Sequence, residues 1–302
     1  MKTKTNFDVI IVGGSYAGLS AAMALGRSLR NVLIIDSGLP CNRQTPHSHN
    51  FITHDGETPA AIADKARAQV LSYPTINLHN GVATSGRKTD TGFIIETSEE
   101  LEFTAKKLIF ATGITDIMPD IKGFDQCWGI SVIHCPYCHG YEVRDQKTAI
   151  MANGERAFHL ASLVHNLSNK LTIITSGKSE FTEEQRSKLK LHNISFIEKK
   201  IQEIIHEKGH LTNIVFESGE TLELNALYAS IPFKQHSDIP MELGCELTEL
   251  GHIKIDSFQK TNIPGVFACG DNSSMIRAVS YAVATGGIAG AMVNNELVNE
   301  VF

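Results

Sequence analysis

Two cysteines stand two residues apart in the stretch His134-Cys135-Pro136-Tyr137-Cys138-His139-Gly140-Tyr141-Glu142. The spacing lets the thiols close a disulfide across about one turn, since the Cα atoms of a bridged pair lie roughly 4.4–6.8 Å apart. In a chain without secretory features, such a pair reads as redox-active and not as a structural staple. A dithiol that closes gives up two electrons and two protons, so it needs a partner for both. The attacking species is a thiolate, which requires a lowered thiol pKa or a base close by. His139 is the first candidate, because imidazole titrates near neutral pH and both takes and returns a proton. His134 and Glu142 are weaker candidates, and the alternative for either histidine is a hydrogen bond that only shapes the loop. Two thiols and a histidine are also half of a zinc site. Zinc needs four ligands, however, and no second Cys-x-x-Cys pair occurs, so no metal is expected.

The elements that must position this pair follow from the rest of the chain. With 302 residues, two domains of ordinary size are expected. A formal net charge of -6 gives no reason to expect nucleic acid or an anionic membrane as partner. No apolar run approaches the ~20 residues that span a bilayer. Lysines at positions 2 and 4 precede Val9-Ile10-Ile11-Val12, a run too short for a signal-peptide core, so a cytoplasmic location is expected. The six cysteines are too sparse for a disulfide framework. Cys127, Cys245 and Cys269 read as packing residues, and so, more than as a participant, does Cys41.

Residues 7–12 form a short apolar run ended by glycine, which predicts a buried strand. Residues 20–29 predict a helix and 31–35 a second buried strand, which together open an α/β fold with a parallel sheet. Residues 59–71 predict an alanine-rich helix, 92–96 with 101–104 a hairpin or meander, and 107–111 another buried strand. A second strand-turn-helix-strand unit occupies 148–151, 153–154, 156–167 and 171–175. Residues 265–271 end a strand in a turn, and 278–298 form a long helix whose Gly286, Gly287 and Gly290 allow close packing. The expected architecture is therefore α/β, with two Rossmann-like nucleotide-binding domains of the three-layer ββα/βα kind. The second is inserted into the first: residues 1–117 and 244–302 enclose 118–243, with the crossings near 119–129 and 237–246.

Gly13-Gly14-Ser15-Tyr16-Ala17-Gly18 lies between the first strand and the first helix. A dinucleotide motif wants glycines at its first, third and sixth positions, for the tight turn, the approach of the pyrophosphate and the packing of helix on strand. Gly13 and Gly18 hold the outer positions, and the small Ser15 replaces the middle glycine. Asp36 ends the second strand where an acid meets the ribose hydroxyls of a nucleotide. In the segment 265–271, an aspartate follows a glycine at a strand end, so Gly270 and Asp271 suit a ribityl hydroxyl. Arg277 and the helix start at Ala278 suit the polar edge of a flavin ring. Asn42, Arg43 and Gln44 suit its carbonyls. The patch His47, Ser48, His49, Asn50 and His54 reads as flavin-edge or substrate contacts, and a metal there would lack thiol or acidic partners.

In order and spacing, Gly13 to Gly18, Ala111-Thr112-Gly113, Cys135/Cys138 and Gly265 to Asp271 resemble the low-molecular-weight thioredoxin reductase family of FAD-dependent pyridine nucleotide-disulfide oxidoreductases. The resemblance spans nearly the full length. It implies FAD in the split domain, held in part by Thr112 and Gly113, a homodimer, and a redox disulfide on the inserted domain. It also implies that Cys138 is the flavin-proximal thiol and Cys135 the interchange thiol that meets the substrate. The wording Cys-Pro-Tyr-Cys-His-Gly-Tyr-Glu is most similar to a branch that includes dithiol oxidases of small natural products.

The departures from that family carry their own chemistry. The reductases have an aspartate after the second cysteine, and here His139 stands there. The second nucleotide motif reads Ala152-Asn153-Gly154-Glu155-Arg156-Ala157, with alanine for the first glycine and an acid where a pyrophosphate would lie. Thr175-Ser176-Gly177-Lys178 replaces the histidine and paired arginines that hold the 2′-phosphate of NADPH. An NADPH site in the inserted segment is thus chemically disfavoured. The expected activity is thiol–disulfide exchange coupled to FAD through Cys135 and Cys138, with a small dithiol or disulfide, or a thioredoxin-like protein, as substrate. One direction is reduction, fed by NADPH or by another carrier such as ferredoxin. The other is dithiol oxidation with oxygen as acceptor. A flavin-bearing redox sensor is the alternative from a different class.

Overall fold

The computed structural model describes residues 5–302; the N-terminal lysines at positions 2 and 4 lie outside the described residues. The chain divides into two compact units. One contains the residues up to Arg43, Glu57–Thr115 and Phe233–Phe302; the other contains Gln44–Gly56 and Asp116–Pro232.

The first unit opens with β1 (Asn6–Val12), α1 (Tyr16–Arg27) and β2 (Val32–Asp36), followed by α2 (Pro59–Leu71), β3 (Ile76–Asn80), β4 (Ala83–Thr89), β5 (Gly92–Thr97), β6 (Glu102–Phe110) and β7 (Ile114–Asp116). Val9, Ile10 and Ile11 are all fully buried, as the two covered faces of a central parallel strand require. The residues expected as two strands, 101–104 and 107–111, form the single strand β6. It pairs with the whole of β1, from Asn6 opposite Thr104 to Val12 opposite Phe110, so the expected gap between 104 and 107 is bridged. Its other edge is shared. Antiparallel β5 takes residues 102–105, and a later parallel strand takes 108–110.

The second unit follows with α3 (Phe124–Cys127), β8 (Val132–Ile133), α4 (Pro136–His139), β9 (Thr148–Met151), α5 (Gly154–Val164), β10 (Leu171–Ile174), α6 (Glu183–Leu191), β11 (Ser195–Ile197), β12 (Ile201–Glu207), β13 (His210–Phe216), β14 (Thr221–Glu223) and β15 (Ala226–Ala229). A parallel five-stranded sheet runs β11-β10-β9-β15-β8, and an antiparallel sheet runs β12-β13-β14. Ile133, Ile150, Ile173 and Tyr228 share one core with Ala157, Ala161 and Val164 of α5. A capping box at Thr182 and Gln185 starts α6.

The chain then returns to the first unit with β16 (Phe233–Gln235), α7 (Ile239–Glu242), β17 (Val266–Ala268) and α8 (Val279–Asn299). β16 pairs with β7. The chain therefore passes between units at 115/116 and 232/233, earlier than the expected 119–129 and 237–246, and also at 43/44 and 56/57. The expected bounds 1–117, 118–243 and 244–302 wrongly kept residues 44–56 in the first domain: their contacts are with the second unit, which no local pattern records. β17 is the parallel partner of β6, which completes a seven-stranded sheet. α8 lies directly on α1: a Cβ added at Gly286 would sit 2.1 Å from the Ala17 carbonyl oxygen. Its far end is anchored by buried Lys107, whose Nζ lies 3.0 Å from Glu296 and 2.5 Å from Glu300. Among the described residues no helix is long and apolar enough to cross a membrane.

Candidate active site

β8 delivers His134 and Cys135 to the start of the one-turn helix α4. Proline at its first position fits, because that residue's N–H would have no intrahelical acceptor. The Cys135 carbonyl accepts from the N–H groups of Cys138, at 3.3 Å, and His139, at 3.2 Å. This single turn folds the second cysteine back onto the first, and Cys138 Sγ lies 2.6 Å from Cys135 Sγ. Both cysteines are half-buried, while Tyr137 between them is 68% exposed.

The half-buried His139 follows directly. Burial pushes its imidazole pKa below the ordinary value; the Glu142 carboxylate opposes this, and His49 adds to it. Near neutral pH the ring is therefore neutral and able to accept a proton. His49 comes from the segment 44–56, which belongs to the same unit. Its Nε2 lies 3.5 Å from Glu142 Oε1 and its Nδ1 3.7 Å from Asp55 Oδ1. The segment is fastened on itself: Asn50 N–H donates to Asp55 Oδ1 at 2.7 Å, and Gly56 N–H donates to the Ser48 carbonyl at 2.9 Å. From the sequence, His49 was expected to be a flavin-edge or substrate contact without acidic partners. The structure corrects the second point, because two acids distant or unmarked in the sequence reach it. The fold sets it beside Glu142, and Asp55 joins the cluster with no motif to announce it.

In the first unit the residues 13–18 form the turn between β1 and α1. A Cβ on Gly18 would fall 1.9 Å from the Gly13 carbonyl oxygen, so the close turn excludes any side chain there. Ser15 is the N-cap of α1 but its side chain makes no capping bond, and the first turn holds no acid. The same is true of α8 at Ala278. Two helix starts without an anionic side chain of their own suit an anionic ligand, which their amides and dipoles attract. Asp36 at the end of β2 accepts from Gly14 N–H at 3.0 Å and lies 3.2 Å from Arg67 Nη2. Arg67 was not foreseen, because α2 meets Asp36 only in the folded chain.

At the ends of β6 and β17, the fully buried Asn272 donates to the Phe110 carbonyl at 2.8 Å and to Thr112 Oγ1 at 3.3 Å. Its Oδ1 has no partner among the described residues, which leaves a buried acceptor for a ligand donor. Gly270 N–H donates to Thr285 Oγ1 at 3.1 Å, and Asp271 Oδ2 lies 3.8 Å from Arg277 Nε. Asn42 Nδ2 donates to Tyr16 Oη at 3.5 Å, and Arg43 Nη1 to the Pro40 carbonyl at 3.1 Å. Open helix starts, a strand-end carboxylate and an unsatisfied buried acceptor are the donor and acceptor set that FAD requires, so the residues fit it.

The second nucleotide motif is differently furnished. Asn153 Oδ1 accepts from Gly154 N–H at 2.8 Å and from Glu180 N–H at 3.0 Å, while its Nδ2 donates to the Lys178 carbonyl at 2.9 Å. A Cβ on Gly154 would lie 3.4 Å from Glu180 Oε2, so this carboxylate rests at the start of α5. Glu155 stands in the first turn and accepts from Gln185 Nε2 at 2.6 Å. The protein's own groups cap this helix and place negative charge where a pyrophosphate would bind. Glu180 lies outside the motif, and nothing in the sequence pointed to it.

The other cysteines differ in kind. Cys127, Cys245 and Cys269 are buried. Burial pushes the Cys127 thiol to about 11 and the Cys269 thiol to about 12, and it raises Cys245. Cys41, read as a small buried residue, is exposed. It lies on a loop between β2 and α2 whose apolar neighbour Leu39 is also exposed, so no core forms there.

Residues 7–286 match a family model described as pyridine nucleotide-disulphide oxidoreductase. Thioredoxin reductase sirT of Leptosphaeria maculans is 33% identical, over 95% of this chain and 93% of the relative. Thioredoxin reductase tcpT of Claviceps purpurea is also 33% identical, over 100% of this chain and 97% of the relative. A solved oxidoreductase from Agrobacterium tumefaciens matches with a TM-score of 0.91 and 36% identity, over 97% of this chain and 99% of the other.

Proposed function

The chain belongs to the pyridine nucleotide-disulphide oxidoreductase family, as an FAD-dependent thiol–disulfide oxidoreductase of the thioredoxin reductase type, and we propose that it oxidises a substrate dithiol through Cys135 and Cys138. The observation that carries the role of this pair is the approach of the two sulfurs on one helical turn, with a neutral imidazole next to them. A substrate thiolate attacks Cys135 Sγ and Cys138 leaves as a thiolate, which gives a mixed disulfide. The second substrate thiolate attacks its own sulfur in that bond and expels Cys135. The substrate loses two electrons and two protons and the cysteine pair gains the electrons. His139 accepts a proton from an attacking thiol and returns it to a departing sulfur.

FAD, when bound, supplies the two-electron acceptor for the reduced pair, with oxygen as the final acceptor and peroxide as its product. Gly13, Ser15, Gly18, Asp36, Asn42, Arg43, Thr112, Gly113, Gly270, Asp271, Arg277 and Ala278 would hold it, with Asn272 added. In this reading the split nucleotide domain carries FAD, and the inserted domain carries the dithiol without using NADPH. The carboxylates of Glu155 and Glu180 at the start of α5 support the oxidative direction over an NADPH-fed reductase. A cytoplasmic homodimer acting on a small dithiol, or on a thioredoxin-like protein, completes the proposal.

Anaerobic mixing of the holoprotein with NADPH, NADH, reduced ferredoxin or dithiothreitol, each separately, tests it. Bleaching of the flavin absorbance by the dithiol alone, followed by peroxide when air is admitted, is the expected result. Rapid bleaching by NADPH would overturn the oxidative reading in favour of a conventional reductase. Bleaching by reduced ferredoxin but not by dithiol would favour the reductase fed by another carrier. Cys138→Ser should retain FAD and lose disulfide turnover; persistent turnover would remove the pair from the mechanism.

A further inference from the structure

Tyr228 lies on β15, in register with Ile133 at the end of β8, two residues before Cys135. Its side chain is 0% exposed. A Cβ placed on Gly140 would lie 2.9 Å from Tyr228 Oη and 2.4 Å from the Pro136 carbonyl oxygen, so the phenol oxygen rests against the flank of α4. That hydroxyl has no hydrogen-bond partner among the described residues. A buried hydroxyl without a partner carries its full desolvation cost, and phenylalanine would fill the same space without it. A donor without a partner on the flank of the helix that carries a redox pair gains an acceptor if a sulfur of that pair ionises. Opening the disulfide creates a thiolate where there was a neutral sulfur.

We propose that Tyr228 is a positioning residue for the interchange thiol: its O–H dipole stabilises the Cys135 thiolate of the reduced pair and lowers that thiol's pKa. The inference rests on the reading of Cys135 as the interchange thiol. Burial, with the negative charges of Cys135 and Glu142 adding to it, pushes the phenol pKa upward, so the group stays a donor throughout the working range. Because the phenol stays neutral, it places no repelling charge beside the thiolate, and only its O–H dipole acts on Cys135. The other groups that set the charge around this sulfur are Cys138 and His139 on α4, His134 before it, Glu142 after it, and His49 through Glu142.

The test uses the full-length holoprotein, reduced with dithiothreitol under argon and freed of reductant, as wild type and as Tyr228→Phe. Iodoacetamide alkylation is followed against pH at the peptide that holds Cys135, with thermal melts in parallel. The variant's Cys135 midpoint should rise by about one pH unit, which is roughly a tenfold loss of reactivity below both midpoints. Its melting temperature should hold or rise, because only an unpaired hydroxyl is removed. An unchanged midpoint, with Cys135 still the reactive thiol, would overturn the role of Tyr228 alone. A melting temperature lower by several degrees, or failure to fold, would show a structural partner for the hydroxyl and also overturn it. Preferential alkylation of Cys138 in the wild type would overturn the interchange assignment and this proposal with it.

Discussion

The proposed exchange needs a base that is unprotonated at neutral pH, and at His139 burial lowers the imidazole pKa while the Glu142 carboxylate opposes it. Its lowered pKa means that a rate dependent on the neutral ring persists on acidification below the ordinary imidazole value. The same group's contribution to stability is present above that value and is lost as pH falls through the folded pKa, because the unfolded chain takes up the proton first. The two neighbours act in opposite senses. Glu142→Gln should move the acid limb of the pH–rate profile to lower pH, since the carboxylate holds the ring pKa up. His49→Ala should move it to higher pH, since a second imidazole holds it down. Identical limbs in both variants would remove the cluster from proton transfer. Thiol reactivity divides along the same physical line. At neutral pH, iodoacetamide should label Cys135 and Cys138 of the reduced protein and exposed Cys41. It should spare Cys127, Cys245 and Cys269, whose burial keeps the thiols protonated.

At the scale of elements, the contact of α8 with α1 is set by the absence of a side chain. Gly286→Val would force atoms into the Ala17 carbonyl, and overpacking of this kind costs about 1–3 kcal/mol. Because α1 and α8 both present their first turns in this unit, the variant should also release FAD more readily, measured as free flavin fluorescence during dialysis. In the other unit, Thr182→Ala breaks the capping box of α6 and should cost about 1 kcal/mol in denaturant unfolding, with no change in thiol reactivity. The strand β6 shows how an element escapes a local reading. Its residues suggest a pause between 104 and 107, but pairing with β1 from Thr104 to Phe110 bridges it, while β5 and β17 share the other edge.

For the molecule as a whole, ligand linkage should separate the two nucleotide motifs. A ligand that binds only the folded state raises its stability by RT ln(1 + [L]/Kd), about 2.7 kcal/mol at a hundredfold excess over Kd. Removing FAD should therefore lower the melting temperature and adding it back should restore it, whereas millimolar NADP+ should leave the melting temperature unchanged. A rise with NADP+ would show that the carboxylates at α5 yield to a pyrophosphate. The α/β architecture, the close glycine turn between β1 and α1, the strand-end Asp36 and the Cys135–Cys138 turn were legible in the sequence, because each follows from backbone periodicity or from the reach of a few residues. Even the weakness of the second motif was visible at Ala152 and Glu155. Tertiary structure alone decided the rest. It brought His49 and Asp55 to Glu142, set Glu180 at the start of α5, paired Arg67 with Asp36, left Cys41 in solvent and laid Tyr228 under Gly140. These are contacts between residues far apart in the chain. They form only where strand order and packing close the intervening loops, and no local pattern records which side chains then meet.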